Sequence, residues 1–148
     1  SIAHLEGFYF KRRIDWEILK KYSGGLIALS GGCLSSDIAD HILKDEVKEI
    51  DITMTKYLEI FGDNFYLEIQ RHHNLKELDK VTPELIKLSR KFGVPIVATN
   101  DVHYIDKEDA YAQEVKLCVQ TQHTIQEKNR DLSMIEVPDY YLKSPTEM

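Results

Sequence analysis

The stretch NFYLEIQ, residues 64–70, decides the fold class, because apolar and polar residues alternate along it as they do along a β-strand. Phe65, Leu67 and Ile69 are expected on one face of a sheet, with the residues between them on the other face. Two compact apolar runs, LIALS at 26–30 and PIVAT at 95–99, are typical of further strands. The sequence therefore predicts three strands, each ending in a polar loop.

Helical signals separate and follow these strands. Apolar spacing, serine or aspartate caps, a Thr-Pro-Glu start and glycine stops predict the helices. They are expected over residues 15–23, 36–43 (capped by Ser35 or Ser36), 47–61, 82–92 and 106–118. Strand and helix thus alternate, which predicts an α/β fold with parallel strands, either a small open sheet or part of a βα barrel.

The composition and net charge of the chain argue against several classes of protein. The chain has 148 residues and a formal net charge of −6, so it lacks the basic excess typical of an autonomous nucleic-acid binder. Its apolar runs are too short for a membrane span, no signal peptide opens it, and two cysteines do not make a disulfide framework. A cytoplasmic protein without a membrane partner is expected. Ser144-Pro145 resembles a helix start without a helix body, which suggests a truncated chain.

The polar residues that follow the three strands are the candidate site. Parallel strands present their carboxyl ends at one edge of a sheet, where βα architectures place function. The residues expected at that edge are Cys33 after the first strand, Glu68, Arg71, His72 and His73 at the second, and Asn100, Asp101 and His103 after the third.

Asp101 and His103 form the sharpest motif of this edge. On an extended chain the two side chains would share a face, and a carboxylate beside an imidazole suits zinc, manganese or iron. The pair equally suits acid–base chemistry with the carboxylate orienting the imidazole, or a turn cap beside a half-exposed histidine. Cys33 is either a ligand or a small buried hydrophobe, and Glu68 is a second-layer partner, an ion-pair member or an exposed residue.

Four motifs together resemble one protein family. GLIALSGGCLSSDIA (25–39), FGDNFYLEIQRH (61–72), VPIVATNDVHY (94–104) and YYLKSPTEM (140–148) resemble the bacterial replicative DNA polymerase III alpha subunit. The similar region is its polymerase-and-histidinol-phosphatase (PHP) domain, and the similarity runs through the whole chain. One departure is SGGC at residues 30–33, where the family usually has a single glycine.

The resemblance implies a fold and a site. The fold would be a partial, distorted βα barrel, with residues 1–125 as the carboxyl half of the PHP domain and 126–148 as the lead-in to the polymerase palm. The positions that match family metal ligands are Cys33, Asp101 and His103. The expected cofactors are divalent zinc, manganese or iron at this site, and magnesium in the polymerase module, whose carboxylates lie outside this chain.

The resemblance also implies a function. The parent would be a DNA-directed DNA polymerase acting on DNA and deoxynucleoside triphosphates, with a 3′–5′ exonuclease role for an intact PHP site. Its expected partners are the sliding clamp, the clamp loader and the proofreading subunit, and the chain alone is expected to be inactive. The alternatives are a stand-alone metal-dependent phosphoesterase and a metal-free replisome scaffold.

Overall fold

The computed structural model describes residues 2–32, 36–72, 75–130 and 132–148. Its elements in chain order are α1 (Ile2–Leu5), β1 (Phe8–Tyr9), β2 (Lys11–Arg12), α2 (Trp16–Lys21), β3 (Ala28–Leu29), α3 (Asp37–Leu43), α4 (Val47–Phe61), β4 (Phe65–Ile69), α5 (Glu77–Phe92), β5 (Ile96–Ala98) and α6 (Ala110–Thr121). Turns of 3-10 helix, Gly62–Asn64 and Lys107–Asp109, precede β4 and α6. Within the described ranges, no helix combines the length and apolar character needed to cross a membrane.

The central element is a three-stranded parallel sheet with the strand order β3-β4-β5. The register pairs Ala28 with Phe65 and Glu68 with Val97, so β4 lies in the middle. A separate antiparallel hairpin joins β1 to β2. The predicted α/β class with parallel strands is confirmed, although β3 and β5 are shorter than the five-residue strands that the sequence predicted.

The hydrophobic core lies between one face of this sheet and helices α3, α4 and α5. Phe65 and Leu67 of β4 are fully buried against Ile38 of α3, Met54 of α4 and Val81 of α5. The intervening residues of β4 are only half-buried, as the alternating pattern predicted. Burial of apolar area on this one face is the main stabilising contribution to the unit.

Local capping chemistry sets the helix ends that the sequence predicted well. Ser36 adopts an extended conformation and its Oγ accepts a hydrogen bond from the Ala39 N–H at 3.3 Å, which starts α3. Gly62 (φ 53°) and Gly93 (φ 69°) end α4 and α5 with positive φ angles, which residues with a side chain rarely adopt.

Helix α5 starts earlier than predicted. It begins at Glu77 and contains Pro83, whereas the Thr-Pro-Glu signal placed its start at Thr82. Proline inside a helix costs about 3 kcal/mol, but the added turn buries Leu78 and Val81 on the same face as Leu85. Packing of that apolar face therefore outweighs the local proline signal.

Helix α6 begins after the 3-10 turn and not directly at Asp106. The Asp106 N–H donates to Asp109 Oδ2 at 3.2 Å, which secures the turn, and α6 continues to Thr121, three residues past the predicted end. Cys118 is buried on α6, as the sequence predicted.

Candidate functional site

The carboxyl ends of β3, β4 and β5 are joined by a network of polar side chains. The Glu68 N–H donates to Ser30 Oγ at 2.9 Å, which links the loop after β3 to β4. Glu68 Oε1 accepts the Thr99 hydroxyl at 2.5 Å, and Gln70 Nε2 donates to Thr99 Oγ1 at 3.0 Å. The three strand ends are thus held at one edge, and Glu68 is engaged within the network.

Gly31 and Gly32, which follow β3, both lie where a side chain would be unfavourable. A Cβ atom at Gly32 would lie 2.5 Å from Gln70 Oε1 and 2.8 Å from Gln70 Cδ, so the Gln70 side chain would have to shift to admit it. Gly31 has φ 89°, a conformation that residues with a side chain rarely adopt. Gly32 therefore lies directly against the Gln70 side chain, which follows β4. Cys33 itself lies outside the described residues, as does His73.

Asp101 and His103 lie together, but not on an extended chain as the sequence predicted. Asp101 has φ 47°, so the backbone turns there and residues 100–103 form no strand. An aspartate tolerates this left-handed conformation better than most residues do. Asp101 Oδ1 lies 3.9 Å from His103 Nδ1, and the side chains are 53% and 32% exposed.

The turn fixes the tautomer of His103. Its Nδ1 lies 2.6 Å from the main-chain oxygen of Asp101. A carbonyl oxygen can only accept, so Nδ1 carries the hydrogen in this arrangement. In the neutral ring the lone pair is therefore on Nε2, which is the arrangement found in metal-ligating histidines whose other nitrogen is held by a carbonyl group.

His72 is buried beside this pair, although the sequence placed it in a polar loop. It is 5% exposed, and neither ring nitrogen has a hydrogen-bond partner within the described residues. Its ring stacks on Tyr140 with centroids 4.4 Å apart. Burial lowers the pKa of His72, and the nearby Asp101 carboxylate opposes that shift only in part.

Residues 139–142, called the tail segment below, contact the candidate site through Asn100 and His103. The sequence did not predict this contact. Asn100 Nδ2 donates to the main-chain oxygens of Asp139 at 2.7 Å and Tyr141 at 2.8 Å. The His103 N–H donates to the Tyr140 oxygen at 2.8 Å. In the sequence this segment stood out only as the start of the motif YYLKSPTEM, which indicated no partner for Asn100 or His103.

A pocket of about 780 Å³ opens beside these residues. The ends of β4 and β5, the start of α5 and the chain around Lys143 line it. Arg71 is exposed at this pocket and His72 and Asn100 are buried in its wall. The pocket is large enough for a small ligand, and its lining carries both basic and acidic groups.

The described residues do not form a complete metal site. No group of three or more His, Cys, Asp and Glu side chains in the described ranges is close enough to hold a metal ion. Asp101 and the Nε2 of His103 are donors that suit a divalent cation, but zinc normally needs at least three protein ligands. These two side chains therefore fit such an ion as part of a ligand set.

Comparison with known proteins shows which proteins the chain resembles. The PHP domain family model matches residues 1–72, which include β3, β4 and the start of the strand-end edge. The chain is 46% identical over all its residues to DNA polymerase III subunit alpha of Thermus aquaticus, and 43% identical to that of Borreliella burgdorferi. The subunit of Treponema pallidum is 40% identical, again over the whole chain.

The family match shows that residues 1–72 are similar to a PHP domain. Over its whole length the chain is similar to DNA polymerase III alpha subunits, in their PHP region, and this confirms the resemblance seen in its sequence. The chain spans about an eighth of the length of the curated relatives it matches.

Proposed function

We propose that the chain is the PHP-region part of a replicative DNA polymerase, which adds nucleotides to a primer 3′ end on a DNA template. The observation that carries this proposal is the 46% identity over all 148 residues to a relative named DNA polymerase III subunit alpha. The similarity includes residues 126–148, which favours a polymerase over a stand-alone phosphoesterase.

The partners follow from the same proposal. DNA and deoxynucleoside triphosphates are bound largely by other parts of the full-length polymerase, because this chain carries a net charge of −6. The sliding clamp, the clamp loader and the proofreading subunit are the partners of such a replicase.

We assign residues 1–125 to the carboxyl half of a PHP domain and 126–148 to the lead-in to the polymerase module. Further strands are proposed to complete a distorted barrel around the sheet. In support, β3 lies at the sheet edge, Ile27 just before it is 69% exposed, and Leu29 within it is 43% exposed. An unpaired strand edge with exposed apolar side chains is the kind of surface that another strand covers.

For the site, Asp101 and His103 are proposed as two ligands of a divalent zinc, manganese or iron ion. Cys33 remains a proposed third ligand, and other parts of the full-length protein supply the rest. Such an ion, when bound, lowers the pKa of water and polarises a phosphate ester. His103 contributes the Nε2 lone pair, and Glu68, Asn100, Arg71 and His72 surround the ligands.

The polymerase proposal is tested by primer extension. The full-length protein is expected to extend a primed template in the presence of magnesium, and the 148-residue chain to add no nucleotide. The chain alone is also expected to retain no tightly bound metal, because it supplies too few ligands. A full-length protein that extends no primer would overturn the polymerase assignment.

A 3′–5′ exonuclease role is the second candidate, favoured by the free Nε2 lone pair of His103 next to the Asp101 carboxylate. His103→Ala in the full-length protein is expected to lower the release of a mispaired 3′ nucleotide. His41→Ala is the matched control, because the His41 side chain is 22% exposed against 32% for His103, but it pairs with Glu46 at 2.7 Å, away from the strand ends. Equal exonuclease activity in wild type and His103→Ala rejects a role for His103.

A further inference from the structure

The ring of Tyr140 lies against both histidines of the candidate site. Its centroid is 4.4 Å from that of His72, with the rings nearly parallel at 17°. It is 5.5 Å from the centroid of His103, with the rings almost perpendicular at 86°. Both geometries are favourable aromatic arrangements.

The main chain around Tyr140 is held just as closely. The His103 and Tyr104 N–H groups both point to the Tyr140 oxygen, at 2.8 and 3.4 Å. The Leu142 N–H donates to the Ile105 oxygen at 3.1 Å. With the two hydrogen bonds from the Asn100 side chain, the tail segment is attached to the chain that follows β5 on both sides of Tyr140.

These contacts affect the orientation of the His103 ring, which determines where the Nε2 lone pair points. The hydrogen bond from Nδ1 to the Asp101 oxygen holds the lone pair on Nε2, and rotation of the ring about its Cβ bond would break it. The edge contact with Tyr140 restricts that rotation, and the hydrogen bond from the His103 N–H fixes the backbone that carries the ring.

We propose that Tyr140 is a positioning residue that holds the His103 ring in its ligating orientation, and so couples the tail segment to the candidate metal site. This inference rests on the proposed function, because it takes His103 as a ligand. Coupling is reciprocal, so a metal ion at His103 also holds residues 139–142 more tightly. The chain leading out of the PHP region is thereby sensitive to the state of the site.

The first experiment measures the tautomer of His103 in the 148-residue chain without metal, by long-range proton–nitrogen NMR at alkaline pH. Wild type and Tyr140→Phe, which keeps the ring, are expected to show the Nδ1–H form. Tyr140→Leu is expected to shift His103 toward the Nε2–H form, which isolated histidine favours. Tyr141→Leu is the matched control, because the Tyr141 hydroxyl donates to Glu147 at 2.9 Å.

A second variant keeps the test decisive if Tyr140→Leu does not fold. Asn100→Asp removes the two hydrogen bonds to the tail segment without altering Tyr140, and is expected to cause the same tautomer shift. An unchanged Nδ1–H tautomer in a folded Tyr140→Leu or Asn100→Asp chain overturns the positioning role.

The second experiment measures metal retention by the full-length protein against a chelator. Tyr140→Leu is expected to lower the affinity on the order of 10–100-fold, the usual effect of losing a group that orients a ligand. Tyr141→Leu is expected to leave it unchanged. If the wild-type protein holds no metal, the proposed metal site is rejected. In that case the tautomer measurement still decides whether Tyr140 positions the His103 ring. Equal retention in Tyr140→Leu and wild type contradicts the coupling.

Discussion

Replacing Glu114 with alanine is expected to be among the most destabilising changes in the chain. Glu114 lies on α6 and is fully buried. Its Oε1 accepts hydrogen bonds from Arg130 and from the Ser133 hydroxyl at 2.6 Å, and its Oε2 accepts the Met134 N–H at 2.9 Å. One carboxylate thus attaches Arg130, Ser133 and Met134 to α6.

The magnitude follows from these contacts. Hydrogen bonds to a charged group contribute about 1.5–3 kcal/mol each, so three of them set an upper range of roughly 4.5–9 kcal/mol. The Arg130 side chain is 10% exposed and keeps the Ile125 and Glu127 oxygens as acceptors, which reduces the cost of leaving it without Glu114. Breaking a buried ion pair typically costs about 3–5 kcal/mol, and the lower part of that range is expected here.

The assay is urea unfolding followed by circular dichroism, with Glu59→Ala as the control. Glu59 is an exposed carboxylate on α4, and its loss is expected to change the free energy of unfolding by about 0.5 kcal/mol or less. If Glu114→Ala costs no more than Glu59→Ala, the buried ion pair does not stabilise the chain and the reasoning is refuted.

The same residue gives a pH dependence. Burial by itself raises the pKa of Glu114, but the hydrogen bonds from Ser133 and Met134 and the charge of Arg130 outweigh it, so the pKa lies below its ordinary 4.5. A carboxylate with a lowered pKa in the folded state stabilises at neutral pH. That stability is lost as the pH falls below 4.5 and through the lower folded-state pKa. Glu114→Gln is expected to weaken this acid dependence.

Three further changes test the core and its edges. Phe65→Ala is expected to cost about 3–5 kcal/mol in urea unfolding, because the ring is fully buried, whereas Phe8→Ala, 59% exposed, changes little; equal losses would contradict the core. Ser36→Ala is expected to cost about 1 kcal/mol through the lost α3 cap, and an unchanged stability argues against that cap. Burial, together with the Asp37 carboxylate, raises the pKa of Tyr57 to about 12. The stability that Tyr57 contributes is therefore present below pH 10 and lost as the pH rises through 12. In an absorbance titration, Tyr57→Phe is expected to lack the tyrosine that ionises near pH 12, and a titration unchanged from wild type would contradict this assignment.

The sequence predicted helices and strands correctly where local signals, such as caps and the spacing of apolar residues, agree with the side chains that the fold buries. The spacing of apolar residues predicted α4 with its observed bounds, and the alternation around Leu67 predicted β4. The caps at Ser36, Gly62 and Gly93 are local interactions, so sequence alone could place them. At α5 the local signal of Pro83 was misleading, because burial of residues one turn earlier decides where the helix begins.

The candidate site was predictable only in part. The strand order brings Asp101 and His103 to one edge with Glu68, and the structure places them there. The burial of His72 depends on Tyr140, which is far away in sequence, and no short motif encodes that contact. The left-handed turn at Asp101 likewise depends on the surrounding chain, so the expectation of an extended Asp-x-His was wrong.

The most direct test of the central claim is the metal content of the full-length protein, measured by elemental analysis after purification without added metal. Wild type and His41→Ala are expected to hold a divalent metal in stoichiometric amount, and His103→Ala to lose it, since Nε2 of His103 is the donor that the Asp101 turn leaves available. A His103→Ala protein that retains the full metal content of wild type would show that this strand edge does not bind the ion.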